Sequence, residues 1–242
     1  MDWELVNADC VEYMKGMADK SVDFVLTDIP YGEANERLKG PSGFRLGYGW
    51  KEKGKADAAT FGLDEFLSEV ARVARNCACV FCGIEQAGRI ISFFQKEMKW
   101  PARHLVWEKT NPVPVNGQYM YLSGHENAVW AKRRGAPFYG RCKSSVLHHP
   151  VGGHAGKFHP TEKSHALLKE LIEDNTLPGE LVFDPCAGSG SSLLVAIQNG
   201  RRALGCELDR GYWEKARERL ERAGFQNMLE VRDGGWKNYN HK

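Results

Sequence analysis

No uninterrupted apolar run in the 242 residues approaches the ~18 that a membrane-spanning helix needs. The opening stretch, MDWELVNADC, has neither the basic nor the apolar region of a secretory signal, so a cytoplasmic protein is expected. A disulfide framework is also missing. The seven cysteines are an odd number, and several lie inside apolar runs, Cys79 and Cys82 in CACVFCGI and Cys206 in ALGCE, as packed reduced thiols do. Nor is there a surplus of one charge: 33 basic against 31 acidic residues leave a net +2. With 42% hydrophobic and 26% charged residues the chain lies far from the composition of disordered proteins. No internal repeat or low-complexity segment is present.

The near-neutral total conceals an uneven distribution. Residues 1–31 hold seven acids and two lysines, a balance of −5. Residues 37–55 hold six Lys/Arg against Glu52, a balance of +5, among five glycines. Residues 132–163 hold seven Lys/Arg against Glu162, a balance of +6, together with His148, His149, His154 and His159. Two basic segments on a more acidic body are the footprint of a surface that meets a polyanion, although solvated loops without a ligand have the same composition.

Seven short apolar runs read as strands, at 4–9, 22–28, 77–84, 103–109, 126–132, 180–184 and 201–207. Helical periodicity lies between several of them: Phe66, Leu67, Val70, Val73 and Ala74; Ile90, Ile91, Phe94 and Met98; Leu193, Leu194 and Ile197 before Gly200; Tyr212, Ala216 and Leu220 before Gly224. The two glycines are read as helix C-caps. Alternating strands and helices predict a doubly wound, mostly parallel seven-stranded α/β sheet in one domain spanning 1–242. Two stretches interrupt the alternation, the basic loop 32–60 and an insertion at 133–158. Loops of this length in compact domains are usually functional or disordered, and both follow strand ends, where open α/β sheets bind ligands.

Two turns carry chemistry. The strand ending at Asp184 runs into Pro185, Cys186, Ala187, Gly188, Ser189, Gly190 and Ser191 before a helix. Glycines at a strand-to-helix turn let a ligand approach the backbone. Glu207, ending the next strand 23 residues after Asp184, is placed to accept hydrogen bonds from ribose hydroxyls. A nucleoside-containing cofactor is implied, but Leu193 stands where a dinucleotide fingerprint needs its third glycine, which disfavours a nicotinamide oxidoreductase. The other turn is Asp28-Ile29-Pro30-Tyr31 at the end of VDFVLTD. Pro30 restricts Ile29 to an extended conformation, which sets the Ile29 carbonyl beside the Asp28 carboxylate as two acceptors for the two N–H donors of an amino group. Tyr31 offers a face on which a planar base can stack. A simple strand-ending turn, with Asp capping and Pro breaking, would use the same residues.

These turns resemble those of the permuted, β-group, S-adenosylmethionine-dependent DNA amino-methyltransferases. Asp28-Ile29-Pro30-Tyr31 is similar to the family's Asp-Pro-Pro-Tyr catalytic motif, and Asp184 through Ser191 to its Asp-Pro-Phe-Ala-Gly-Ser-Gly-Thr cofactor loop. His159-Pro160-Thr161-Glu162-Lys163-Ser164 is similar to its His-Pro-Thr-x-Lys-Pro motif. Trp107-Glu108-Lys109-Thr110-Asn111, His125-Glu126 and Asn7-Ala8-Asp9 look like further family motifs, so that the resemblance covers residues 4–222. The departures are Ile29 for the first proline, which costs rigidity but keeps the carbonyl, Cys186 for Phe, which changes the contact with the cofactor's methionine end, and Ser164 for the last proline.

The resemblance implies a circularly permuted Rossmann-like methyltransferase fold with a small target-recognition insertion at 133–158. It implies S-adenosylmethionine as cofactor and double-stranded DNA as substrate, with a homodimer and a cognate restriction enzyme as further partners. Asp28, Ile29, Pro30 and Tyr31 are then catalytic. Asp9 falls to the adenine end of the cofactor, Glu207 to its ribose, and Asp184, Gly188, Thr161 and Lys163 to its methionine side, with Pro185, Cys186, Gly190 and Ser191 in the same loop. Lys51, Lys53 and Lys55 are expected to close over a flipped nucleotide, and Arg133, Arg134, Arg141 and Lys143 to contact DNA. Asp as the first motif residue resembles the adenine-N6 enzymes more than the cytosine-N4 enzymes, many of which have Ser there. RNA or protein-glutamine methyltransferases usually place the cofactor loop first, the reverse of the order here, and a decayed, purely DNA-binding relative is the other alternative. No metal is expected, because the spacing of the four histidines matches no zinc knuckle.

Overall fold

The computed structural model describes residues 2–30, 61–114, 119, 121–152 and 162–233, with side chains as far as residue 223. Tyr31, Lys51, Lys53, Lys55 and Thr161, and the expected basic loop at 32–60, lie outside the described residues.

Eight strands form one sheet: β1 (Trp3–Asn7), β2 (Val22–Asp28), β3 (Ala74–Cys82), β4 (Ala102–Lys109), β5 (His125–Lys132), β6 (Val146–His149), β7 (Leu181–Asp184) and β8 (Arg202–Glu207). Their order is β1-β8-β7-β2-β3-β5-β4-β6. Every pairing is parallel except those of β5, which runs antiparallel to both β3 and β4. The expected Rossmann-like α/β architecture is present, with one strand more than the seven expected. The extra strand, β6, pairs with β4 and lies within the segment read as an insertion.

Six α-helices pack on the sheet among the described residues: α1 (Cys10–Lys15), α2 (Leu63–Val73), α3 (Ile84–Ser92), α4 (His165–Asn175), α5 (Ser191–Gln198) and α6 (Arg210–Asp233). A π-helical turn, Phe93–Glu97, extends α3. The middle strands β2 and β3 are buried along most of their length because both faces are covered. Phe24, Leu26, Cys77, Cys79 and Phe81 join the core under α4, α5 and α6. The alternating Val25, Ala78, Val80 and Cys82 join the core under α1, α2 and α3. The three β3 cysteines are thus buried hydrophobes, and burial pushes the Cys82 thiol up to about 12. All seven cysteines are free.

One boundary expectation fails. Gly224 does not end its helix, since α6 continues to Asp233. An interior glycine costs only about 1 kcal/mol relative to alanine, which the rest of a long helix offsets. Gly200, by contrast, adopts φ +76° just past the end of α5. Among the described residues no helix is long and apolar enough to cross a membrane.

Candidate active site

The ends of β1, β8, β7, β2, β3, β4 and β6 and the start of β5 fall on one edge of the sheet. From β7 the chain passes through α5 to β8 on one side, and from β2 it passes through α2 to β3 on the other. The gap between Asp184 and Asp28 is therefore a topological switch point, the place where open α/β sheets open a crevice.

Several chain segments fix the two sides of this gap. Asp28 pairs with Phe81 at the ends of β2 and β3, and the Ile29 N–H donates to the Phe81 carbonyl at 3.2 Å. The Ile29 side chain is buried. Gln86, in the first turn of α3, donates from Nε2 to the Pro30 carbonyl at 3.0 Å while its Oε1 accepts the Gly83 N–H at 2.9 Å. The expected loss of rigidity at Ile29 is offset here, because a proline at 29 would have no N–H to give.

Across the gap, Asp184 is buried; its Oδ1 accepts the Cys186 N–H at 3.0 Å and its Oδ2 accepts the Ser192 hydroxyl. Burial, working against these donors, pushes its carboxyl up to about 6. Gly188 and Gly190 adopt φ +52° and +70°, left-handed values that favour glycine, and a Cβ on Gly190 would meet Ala216 of α6 at 3.3 Å. The Gly188 N–H donates to Glu207 Oε2, and the Asp209 N–H to Glu207 Oε1, both at 2.8 Å. Burial raises the Glu207 carboxyl against these same donors. Asp9 caps α1, its Oδ1 accepting the Val11 and Glu12 N–H groups at 2.9 and 3.0 Å. Asn7 holds the end of β8 by donating to the Glu207 and Leu208 carbonyls. Pro185, Cys186, Gly188, Gly190 and Ser191 thus share one loop with Asp184, and Glu207 and Asp9 sit at its flank.

Lys163 is on the other side of the gap. The resemblance put it beside the cofactor's methionine end, but its Nζ lies 2.7 Å from Asp28 Oδ2 and 2.6 Å from Glu126 Oε2, and 5.0 Å from the centre of the Phe81 ring. Glu126 Oε1 in turn lies 2.9 Å from Lys109 Nζ. Burial would raise the Glu126 carboxyl, but the two ammonium groups outweigh it and hold it at about 2. Glu126, Lys109 and Gln86 had no role assigned from the sequence, although the first two fall in motifs noted there. Glu162, also unassigned, is buried against Ser191 Oγ at 2.8 Å and Arg219 at 2.6 Å, tying the start of α5 to α6. Trp107 donates to the His149 carbonyl at 2.9 Å, and Asn111 Oδ1 accepts the Val151 N–H at 2.6 Å, which anchors β6 and the residues just beyond it to β4.

The four basic residues of the 133–143 segment are elsewhere. Because β5 is antiparallel, its carboxyl end delivers Arg133 to the edge opposite Asp28: the Arg133 N–H donates to the Asn76 carbonyl near the start of β3. Its guanidinium donates to the Ala74 and Ala71 carbonyls at 3.0 and 2.7 Å and lies 4.7 Å from the centre of the Trp100 ring. Arg134 reaches the Lys99 carbonyl at 3.3 Å. Lys143 is paired with Asp174 and Glu170 of α4 at 2.6 and 3.1 Å, and the exposed Arg141 lies two residues before it with φ +29°. The inference that this segment opens at the ligand edge fails because the strand it follows runs backwards. Of the histidines, His149 is 2.5 Å from Glu170 and His148 is 3.2 Å from Glu108; His154 and His159 lie outside the described residues.

Known proteins share this sequence pattern and fold. The N6_N4_Mtase family model, described as DNA methylase, matches residues 22–218. "Putative methylase YubD" of Escherichia coli (strain K12) is 31% identical over 218 residues, 89% of this chain and 88% of that one. Type II methyltransferase M2.DpnII of Streptococcus pneumoniae is 26% identical over 242 residues, covering 90% of this chain and 89% of that one. Among solved structures, the M1.HpyAVI–SAM complex superposes with a TM-score of 0.69 at 24% identity, covering 90% of this chain and 98% of that one.

Proposed function

The chain belongs to the N6/N4 DNA methylase family, and from that premise we propose that it transfers a methyl group from S-adenosylmethionine to the exocyclic amine of a flipped DNA base, adenine N6. The observation that carries this reading is the pairing, across one switch-point gap, of a glycine turn flanked by Asp184 and Glu207 with the Asp28-Ile29-Pro30 turn.

The donor set fits an adenosyl amino acid. Glu207 is a half-buried carboxylate at the strand end, suited to ribose hydroxyls. Behind Gly190, the N-terminus of the eight-residue α5 offers backbone N–H groups to a carboxylate. When bound, the cofactor supplies a methyl group on a sulfonium, already activated for transfer.

The protein's own task is to prepare the amine. The lone pair of an aromatic exocyclic amine is delocalised into the ring. If Asp28 and the Ile29 carbonyl each accept one N–H, the nitrogen moves toward sp³ and its lone pair is directed at the methyl group. As the N–C bond forms, the C–S bond breaks with its electron pair going to sulfur, and the nitrogen releases one proton. An aspartate, with a reference pKa of ~3.9, is too weak to remove that proton first, so the proton leaves after the methyl arrives. Holding amine and methyl in near-attack geometry supplies the other large contribution. The base must leave the duplex at a cost of a few kcal/mol, offset in part by stacking on Tyr31.

Lys51, Lys53 and Lys55, on the segment that leaves Pro30, are proposed to meet the DNA at this edge; Arg133 and Lys143, engaged with the protein, are not. The test is incubation with duplex DNA and labelled S-adenosylmethionine followed by nucleoside mass spectrometry. N6-methyladenine is the expected product. N4-methylcytosine alone would overturn the choice of base, and an unlabelled duplex with label in RNA or protein would overturn the substrate.

A further inference from the structure

We propose that Lys163, held by Glu126 and Lys109, is a positioning residue for the target-amine acceptor Asp28, rather than a ligand of the cofactor. The proposal rests on the methyltransferase reading and adds to it a second layer behind the catalytic carboxylate.

The geometry is an alternating chain of four charges, Asp28–Lys163–Glu126–Lys109, with successive separations of 2.7, 2.6 and 2.9 Å. Its members come from four places in the fold: the end of β2, the residue before the Ser164 cap of α4, the start of β5 and the end of β4. Lys163 is 8% exposed and Lys109 14%. Buried ion pairs are poor stabilisers, because desolvation consumes most of the Coulomb gain, and an apolar residue would fill such a site as well. What the chain does achieve is orientation. Lys163 grips one oxygen of Asp28 from a fixed direction, since Glu126 and the Phe81 ring hold the ammonium on its other sides. Lys109 in turn keeps Glu126 from rotating toward Asp28. A carboxylate plane fixed in this way presents its acceptor to an incoming N–H without a search over rotamers, and that is preorganisation.

The chain also sets the charge of Asp28. The ammonium favours the ionised carboxylate, the form that accepts hydrogen bonds. Among the described residues, the groups facing Asp28 include Lys163 from the α4 side, Asp184 from β7 and Cys82 from β3, with Glu126 of β5 and Lys109 of β4 acting behind Lys163. Removing Lys163 therefore raises the pH at which Asp28 loses its charge. Removing the charge of Glu126 while Lys163 remains lowers it. Because Asp184 titrates at about 6, a pH–rate profile alone would mix the two carboxyls, and the Asp28 carboxyl carbon must be read directly.

The experiment compares the full-length parent with Lys163→Met, Lys163→Arg and Glu126→Gln, each checked for folding by circular dichroism. Asp28 is followed by ¹³C-carboxyl NMR titration without cofactor, its signal assigned with Asp28→Asn. Single-turnover methylation is measured at saturating DNA and S-adenosylmethionine, and cofactor affinity by calorimetry. The Asp28 midpoint is expected to rise by about one pH unit or more in Lys163→Met and to fall in Glu126→Gln. The single-turnover rate should drop by about tenfold or more in Lys163→Met and be partly restored in Lys163→Arg, with cofactor affinity within about threefold of the parent. Cofactor affinity lost with an unchanged rate at saturation would make Lys163 a cofactor ligand and overturn the proposal, as would an Asp28 midpoint that moves in neither variant. A parent that methylates no DNA would overturn the proposed function instead, and the NMR comparison would still decide the role of Lys163.

Discussion

The backbone N–H of Ile29 donates to the carbonyl of Phe81, extending the β2–β3 ladder one residue beyond Asp28. The position occupied by proline in the related motif is thus held by a hydrogen bond and by a buried side chain. Ile29→Pro removes both, and the expected cost is about 2 to 4 kcal/mol. Ile29→Val, which keeps the N–H, should cost about 0.5 to 1.5 kcal/mol. Thermal denaturation of the two variants checks the order, and equal melting temperatures would show that the N–H bond adds nothing.

Glu207 spends both carboxylate oxygens on backbone N–H groups, Gly188 on one side and Asp209 on the other. It therefore shapes the glycine turn, in addition to the ribose contact proposed for it. Glu207→Ala should weaken S-adenosylmethionine binding by at least the ~1.5 to 3 kcal/mol of one charged hydrogen bond. Calorimetry decides this, and an unchanged affinity with the fold intact would remove Glu207 from the cofactor site.

Much of this edge could be read from the residues themselves. Asp28 and Asp184 end apolar strands, and the turn residues after each are local features of the chain. What could not be read depends on pairing between distant segments. A strand's apolar pattern is the same in either direction, so the antiparallel course of β5, and with it the location of Arg133, was hidden. Four-residue β6 is too short, and too polar at His148 and His149, to stand out from a loop. The ion chain joins residues 28, 163, 126 and 109, and no local spacing relates them.

Asp184 makes stability depend on pH in an unusual direction. Its folded carboxyl is raised to about 6 by burial, so the unfolded chain gives up this proton first as pH rises. The contribution is fully present below the ordinary carboxylate range and is lost as pH climbs through about 6, a loss on the order of 3 kcal/mol. Glu126 and Glu162, both held at about 2, act in the opposite sense, stabilising above the ordinary range and failing as pH falls toward 2. Relative to Asp184→Asn, the cofactor-free parent should lose melting temperature between about pH 4 and pH 7. A constant difference between the two across that window would contradict a buried, raised Asp184.

Arg133 tests whether DNA meets the far edge of the sheet. Its guanidinium caps the Ala71 and Ala74 carbonyls and stacks on Trp100 at the far edge of the sheet. Arg133→Ala should destabilise the fold by about 2 to 3 kcal/mol and leave the salt dependence of DNA binding unchanged. A decrease of about 0.9 in the slope of log affinity against log salt would instead place a phosphate on this residue.

The proposed product, N6-methyladenine, is inferred from Asp28. A carboxylate accepts an amine N–H more strongly than a hydroxyl does, yet adenine and cytosine both offer such an amine, so the acceptor alone does not choose between them. The choice of adenine rests on Asp, rather than Ser, as the first residue of the turn. Asp28→Ala removes one of the two acceptors and also takes from Lys163 its partner at 2.7 Å, leaving the ammonium paired with Glu126 beside the target. Asp28→Asn keeps the volume and one acceptor oxygen but loses the charge. Both variants should keep cofactor affinity, since Asp28 is on the far side of the gap from Glu207, and both should lose methylation, Asp28→Ala the more completely. Single-turnover assays with labelled cofactor, read by nucleoside mass spectrometry, separate the outcomes. N6-methyladenine from the parent and none from Asp28→Ala is the expected result, whereas near-parental turnover in Asp28→Ala would remove the two-acceptor mechanism altogether.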